Sequence, residues 1–192
     1  MKIISTKVHR YELEALIAAS REGREPPYLG HRPLYENDKN DHEVILTYCS
    51  SLIKNNQIEY ARSIIDSSYE RLRDNADFIL LRANLDLKLG DLRSVRKSLD
   101  NVLSKDPENE KAISLLGICY LRSFDFNNAR HYIYKALDLC SSPEAFTNAI
   151  FYNSILDDQN ETLRLIEVFL ETYPDNNNAK TLKGFHLLRQ TQ

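Results

Sequence analysis

Hydrophobic positions along this chain fall in paired helical stripes. Leu116, Ile118, Tyr120 and Leu121 recur at helical spacing, the pattern breaks at Phe124-Asp125, and Ile133 and Leu137 resume it. Apolar residues returning every three or four positions predict amphipathic helices, and the break predicts a tight turn. Gly117, Ala129 and Ala136 keep small side chains inside these stripes. A larger side chain would bury more surface, so the small ones predict a close approach of another helix backbone.

The pattern recurs. Gly117, Ala83 and Cys49 are small residues spaced 34 apart, and Ile113, Ile79 and Ile45 repeat a large apolar residue at the same step. Ile133, Leu99 and Ile65 do so in the second stripe, where Ala129, Val95 and Ala61 also correspond. Self-similarity at a fixed period is the signature of a repeat architecture. It predicts contiguous helix-turn-helix units at 42–75, 76–109 and 110–143, with turns at Asn55-Asn56, Gly90-Asp91 and Phe124-Asp125. A fourth unit, slipped by one residue, covers 143–176, with Ile150 where the others keep a small residue.

Beyond these units a last helix is expected over 177–190, with Ala179, Leu182 and Phe185 covering the fourth unit and Lys180, Lys183 and Arg189 facing water. Terminal units of a repeat array need such a cap. Residues 1–41 form a separate segment. VHRYELEALIAAS, residues 8–20, predicts an amphipathic helix, and REPPYLGHRPLYENDKND, with three prolines, predicts a non-helical connector. Two parts result, 1–41 and the repeat domain 42–192.

Composition narrows function. Twenty-eight acidic against 25 basic residues give a net charge of -3, which argues against nucleic acid as the main partner. No apolar run is long enough for a membrane span or a signal peptide, so a cytoplasmic protein is expected. The three cysteines, Cys49, Cys119 and Cys140, lack zinc or redox spacing and read as small apolar residues. His9, His31, His42, His131 and His186 are scattered, and no nucleophile motif or phosphate-cradling loop is present. Tyr132 and Tyr134 beside His131 read as packing residues of a second helix. No catalytic site, metal or cofactor is expected.

At Ile113, Leu116-Gly117, Tyr120, Ala129, Ile133 and Ala136, unit 110–143 resembles the tetratricopeptide repeat (TPR) family. Unit 76–109 keeps Ile79, Ala83, Val95, Leu99 and Pro107 but departs at Arg82 and Asp86, where the family prefers Leu and Tyr. The resemblance implies an all-α fold, a right-handed α-solenoid whose first helices line a concave groove. Transferred position by position, that groove would carry Leu46, Ile53, Leu80, Leu81, Asn84, Leu87, Leu115, Ile118, Leu121 and Phe151. An apolar surface of this kind implies a protein partner. Family members that clamp a C-terminal carboxylate need basic and amide side chains where this chain has Leu46, Ser50, Leu81, Lys111 and Leu115; only Lys111 fits, so that ligand is excluded.

The layout is also similar to cytosolic chaperones of bacterial type III secretion translocators. That likeness implies a non-enzymatic protein holding an extended client segment. The other reading is a structural or regulatory subunit of an assembly with its groove filled internally. Pro27-Tyr28-Leu29 resembles the Pro-x-Leu segment of translocator clients, so residues 26–35 are expected to dock on an apolar groove, their own or a second molecule's, which would give a homodimer.

Overall fold

A computed structural model describes residues 32–190, apart from the side chains of Leu34, Arg189 and Gln190. Among the described residues ten helices follow one another: α1 Arg32–Asn37, α2 His42–Lys54, α3 Ile58–Leu72, α4 Ala76–Leu89, α5 Leu92–Lys105, α6 Glu110–Arg122, α7 Phe126–Cys140, α8 Pro143–Ile155, α9 Gln159–Thr172 and α10 Asn177–Gln190. No strand occurs among the described residues.

Two local signals repeat with the helices. Asp41, Asn75, Asn109, Ser142 and Asn176 precede α2, α4, α6, α8 and α10, and each accepts a hydrogen bond from a backbone N–H of the turn that follows. Such caps satisfy N–H groups that have no partner inside the helix. Between first and second helices, Asn56, Gly90, Phe124 and Asp157 each take a left-handed conformation, at φ 60°, 85°, 59° and 57°. The caps step by 34, 34, 33 and 34 residues and the turns by 34, 34 and 33, so the slip before the fourth unit is built into the backbone.

The described residues divide into two compact units, one ending at Asp91 and one beginning at Leu92. In the first, Tyr48 of α2 stands at the centre, its ring 5.1 Å from Tyr35 of α1 and 5.8 Å, edge-on, from Tyr60 of α3. Ile45, Cys49, Leu52, Ala61, Ile65 and Phe78 complete a core closed to water. The α4 residues Phe78, Leu80, Leu81, Ala83, Leu85 and Leu87 are all buried, so this helix is covered on more than one face. Its departures from the TPR pattern are accommodated locally. The Arg82 guanidinium lies 4.5 Å from the centre of the Tyr69 ring. The Asp86 carboxyl, half-buried, is pushed above the ordinary carboxylate range chiefly by that burial.

In the second unit, Phe146 of α8 and Phe169 of α9 stack 5.0 Å apart, inside a cluster with Ile133, Ile150, Leu165, Ile166 and Ala179. Burying such side chains contributes about 1.5–3 kcal/mol each. Tyr120 stacks on Tyr132 at 5.4 Å, joining α6 to α7. Ile150 is buried in this cluster, and Thr162, also buried, takes the place of the usual alanine in α9.

Two expectations are corrected. The connector is not wholly non-helical: 32–37 form α1, because Pro33 sits in the first turn, where the missing N–H costs nothing, and Arg32 bonds Glu36 one turn on at 2.9 Å. Pro33 therefore does not hold this stretch extended. Phe185 does not cover the fourth unit; it is 63% exposed, and Ala179, Leu182 and His186 face inward instead. The segment 8–20 and residues 26–31 lie outside the described residues. Of the stretch 26–35, Tyr35 rests on the first unit's core.

Candidate functional site

The candidate face is carried by first helices, and each unit presents its own part. In the first unit Ile53, Leu80, Leu81 and Leu87 are buried, while Leu46 and Asn84 are half-buried. Leu81 belongs to the tyrosine-centred core, and Leu46 packs against it. These side chains offer little free apolar surface.

The second unit differs. Leu121 is buried, Leu115 and Ile118 are half-buried, and Phe151 is 57% exposed. Asn148 of α8 donates to the Ser114 hydroxyl of α6 at 3.0 Å, tying the two helices on the same face. The sequence reading missed Ile155, Phe185 and Leu188, all exposed. A signal for them existed: Ile118, Phe151 and Phe185 are each the ninth residue of α6, α8 and α10. Ile155 follows Phe151 by one helical turn, and Leu188 follows Phe185 by three residues. The exposed apolar residues of α10 share the helix with a lysine near its start. Lys180 is exposed and pairs with Asp175 at 3.5 Å.

A polar network holds α8 in place. Asn153, buried, donates to the Tyr134 hydroxyl at 2.9 Å and to the Ala149 carbonyl at 2.8 Å. Tyr134 in turn donates to Glu161 at 3.1 Å, and Arg164 grips Glu161 with two bonds of 2.7 Å. The Arg164 bond, helped by Tyr134, lowers the Glu161 carboxyl below its ordinary range. Burial raises the Tyr134 hydroxyl above its own. These groups join α7, α8 and α9 and thereby fix where Phe151 stands.

Acids at the starts of first helices, Glu43, Asp77 and Glu144, and bases at their ends, Lys54, Lys88 and Arg122, complement the helix dipoles. Among the described residues no three His, Cys, Asp or Glu side chains are grouped to hold a metal. No described helix is long and apolar enough to cross a membrane.

No protein-family profile matches the sequence, and no curated protein sequence does. Solved structures do. TTC0263, a thermophilic TPR protein of Thermus thermophilus, is 16% identical over 94% of this chain and 95% of its own, with a TM-score of 0.77. A tetratricopeptide repeat protein of Parabacteroides merdae is 14% identical over 94% of this chain and 73% of its own, with a TM-score of 0.60. YrrB, described as a TPR protein with an unusual peptide-binding site, is 14% identical over 91% of this chain and 90% of its own, with a TM-score of 0.55. Helix order, the 34-residue step and these likenesses agree: the chain has the tetratricopeptide-repeat fold.

Proposed function

We propose that the chain is a non-enzymatic protein-binding module whose first helices hold a segment of a partner protein. The observation that carries this reading is the pair Phe151 and Phe185, 57% and 63% exposed, at equivalent positions of α8 and α10. Two exposed phenylalanines gain nothing for folding, and apolar patches of this kind mark interaction surfaces. Leu115, Ile118, Ile155 and Leu188 extend the apolar surface; Leu46, Asn84 and the buried Ile53, Leu80, Leu81, Leu87 and Leu121 support the first helices that carry it. YrrB supports the reading, since its description names a peptide-binding site on the same fold. Within it, a client of a bacterial secretion system, bound in the cytoplasm, is the specific partner suggested by the layout of the chain.

Replacing Phe151 and Phe185 together with aspartate tests the reading. Both point to water, so the helical circular-dichroism signal and melting temperature should hold while capture of the partner is lost. Unchanged capture by a folded double variant overturns it. Mass spectrometry of what the wild-type chain co-purifies, with and without the substitutions, distinguishes a secretion client from a subunit of a standing assembly.

A further inference from the structure

We propose that the edge carrying the α6–α7 and α8–α9 turns is a second docking surface, fitted to a basic segment of a partner protein that also bears apolar side chains. It adjoins the first-helix face at Ile155 but does not rest on that reading. Phe124 departs from its counterparts in the other units. Its φ of 59° belongs to the left-handed region, where Asn56, Gly90 and Asp157 occupy the matching turns. Those three residue types tolerate that region; a bulky aromatic does not. Phe124 is also 78% exposed, and the ring contact it makes is an edge-on one with Phe126 at 6.3 Å. A residue that is strained and at the same time unburied contributes nothing to stability, and such outliers gather at functional sites.

The surroundings extend the surface. Tyr152 of α8 donates to the Phe126 carbonyl at 3.1 Å, fixing this turn against α8. Leu156 lies one helical turn beyond Tyr152, and it and Ile155 are exposed. Carboxylates follow these apolar groups in both turns, Asp125 after Phe124, and Asp157 and Asp158 after Leu156. Asp125 and Asp158 are held in place by accepting from the Asn128 and Glu161 backbone N–H groups at 3.2 and 3.0 Å, and Asp157 precedes Asp158 in the same turn. Arg122, in the last turn of α6, is one cation against these three acids. The edge therefore joins apolar side chains to net negative charge. Leucines or isoleucines of a partner would cover Phe124, Ile155 and Leu156, and its lysines or arginines would meet the acids, with a guanidinium able to lie over the Phe124 ring.

The test uses the full chain and two synthetic amphipathic helices, one of leucine and lysine and one of leucine and glutamate, followed by amide shifts in NMR titrations. The leucine–lysine helix should bind with shifts centred on 122–126 and 154–158, and the leucine–glutamate helix should not. Phe124→Asn should weaken binding by at least about tenfold. The same change should raise the melting temperature by about 2–4 °C, because it relieves the left-handed strain. Replacing Asp125, Asp157 and Asp158 with asparagine keeps the caps and removes the charge, so it should weaken binding and flatten its salt dependence. No binding, shifts centred on Phe151 and Phe185 instead, equal binding of both helices, or unchanged affinity of the Phe124→Asn variant would each overturn the proposal.

Discussion

A side-chain carbon placed on Gly117 would lie 2.7 Å from Cγ1 of Ile133 and 3.1 Å from its backbone nitrogen. The second helix of this unit thus runs against the bare backbone of the first, and the hydrogen of glycine is what fits between them. Gly117→Leu should overpack this contact and destabilise the second unit by about 1–3 kcal/mol. Gly184 provides the control, because nothing lies within 4 Å of a carbon added there. Gly184→Ala should stabilise by up to about 1 kcal/mol through helix propensity. Thermal melts of the two variants that moved in the same direction would contradict the register.

The Asn153–Tyr134–Glu161 network gives a pH signature. The Glu161 carboxyl ionises more readily in the folded chain than in the unfolded one. Its contribution is therefore fully present above the ordinary glutamate range and disappears as pH falls through the lowered value. Stability against acid should decline less steeply in Glu161→Gln than in the wild type. Tyr134→Phe leaves Asn153 without its tyrosine partner and should cost about 1–2 kcal/mol in urea unfolding at neutral pH.

Thr162 stands where other units keep Ala61, Val95 or Ala129, and its buried hydroxyl has no hydrogen-bond partner. A buried hydroxyl without a partner carries a desolvation cost, and an apolar group of the same shape does not. Thr162→Val should raise stability by about 1 kcal/mol, read from the urea midpoint at unchanged slope.

The cysteines are separable by accessibility. Burial pushes the Cys49 thiol up to about 12 and raises that of Cys119 as well, whereas Cys140 is half-buried. The thiolate is the reactive form. In the native chain an alkylating reagent should label Cys140 first, and Cys49 only after denaturation, as peptide mass spectrometry would show.

The repeat could be read from sequence because it is written in residue size: Gly117, Ala83 and Cys49 must be small where a second helix comes near, and no surface constraint imitates that. The caps Asp41, Asn75, Asn109 and Asn176 are capping residue types just before apolar stripes, a signal the sequence reading did not use. Other features were not legible. The turn at Phe124-Asp125 followed from the 34-residue step, but its left-handed backbone did not, because the residue type argues against one. Pro33 read as a helix breaker, although a first turn accepts it. The proposed binding face was legible as helical register alone. Leu81 and Phe151 both occupy positions where the TPR resemblance implies a groove, yet neighbouring side chains cover the former and leave the latter open. The Asn153–Tyr134–Glu161 network joins residues 19 and 27 positions apart, and no local pattern announces it.

The central claim, partner binding on the first-helix face of the second unit, is tested most directly by site-specific photo-crosslinking in cells. A photoreactive phenylalanine analogue replaces Ile118, Phe151 or Phe185 in turn, with Asp100 and Asp138, both exposed on second helices, as controls. The account predicts one and the same partner band from the three first-helix positions and none from the two controls. A band from Asp100 or Asp138, with nothing captured at Phe151 and Phe185, would contradict it.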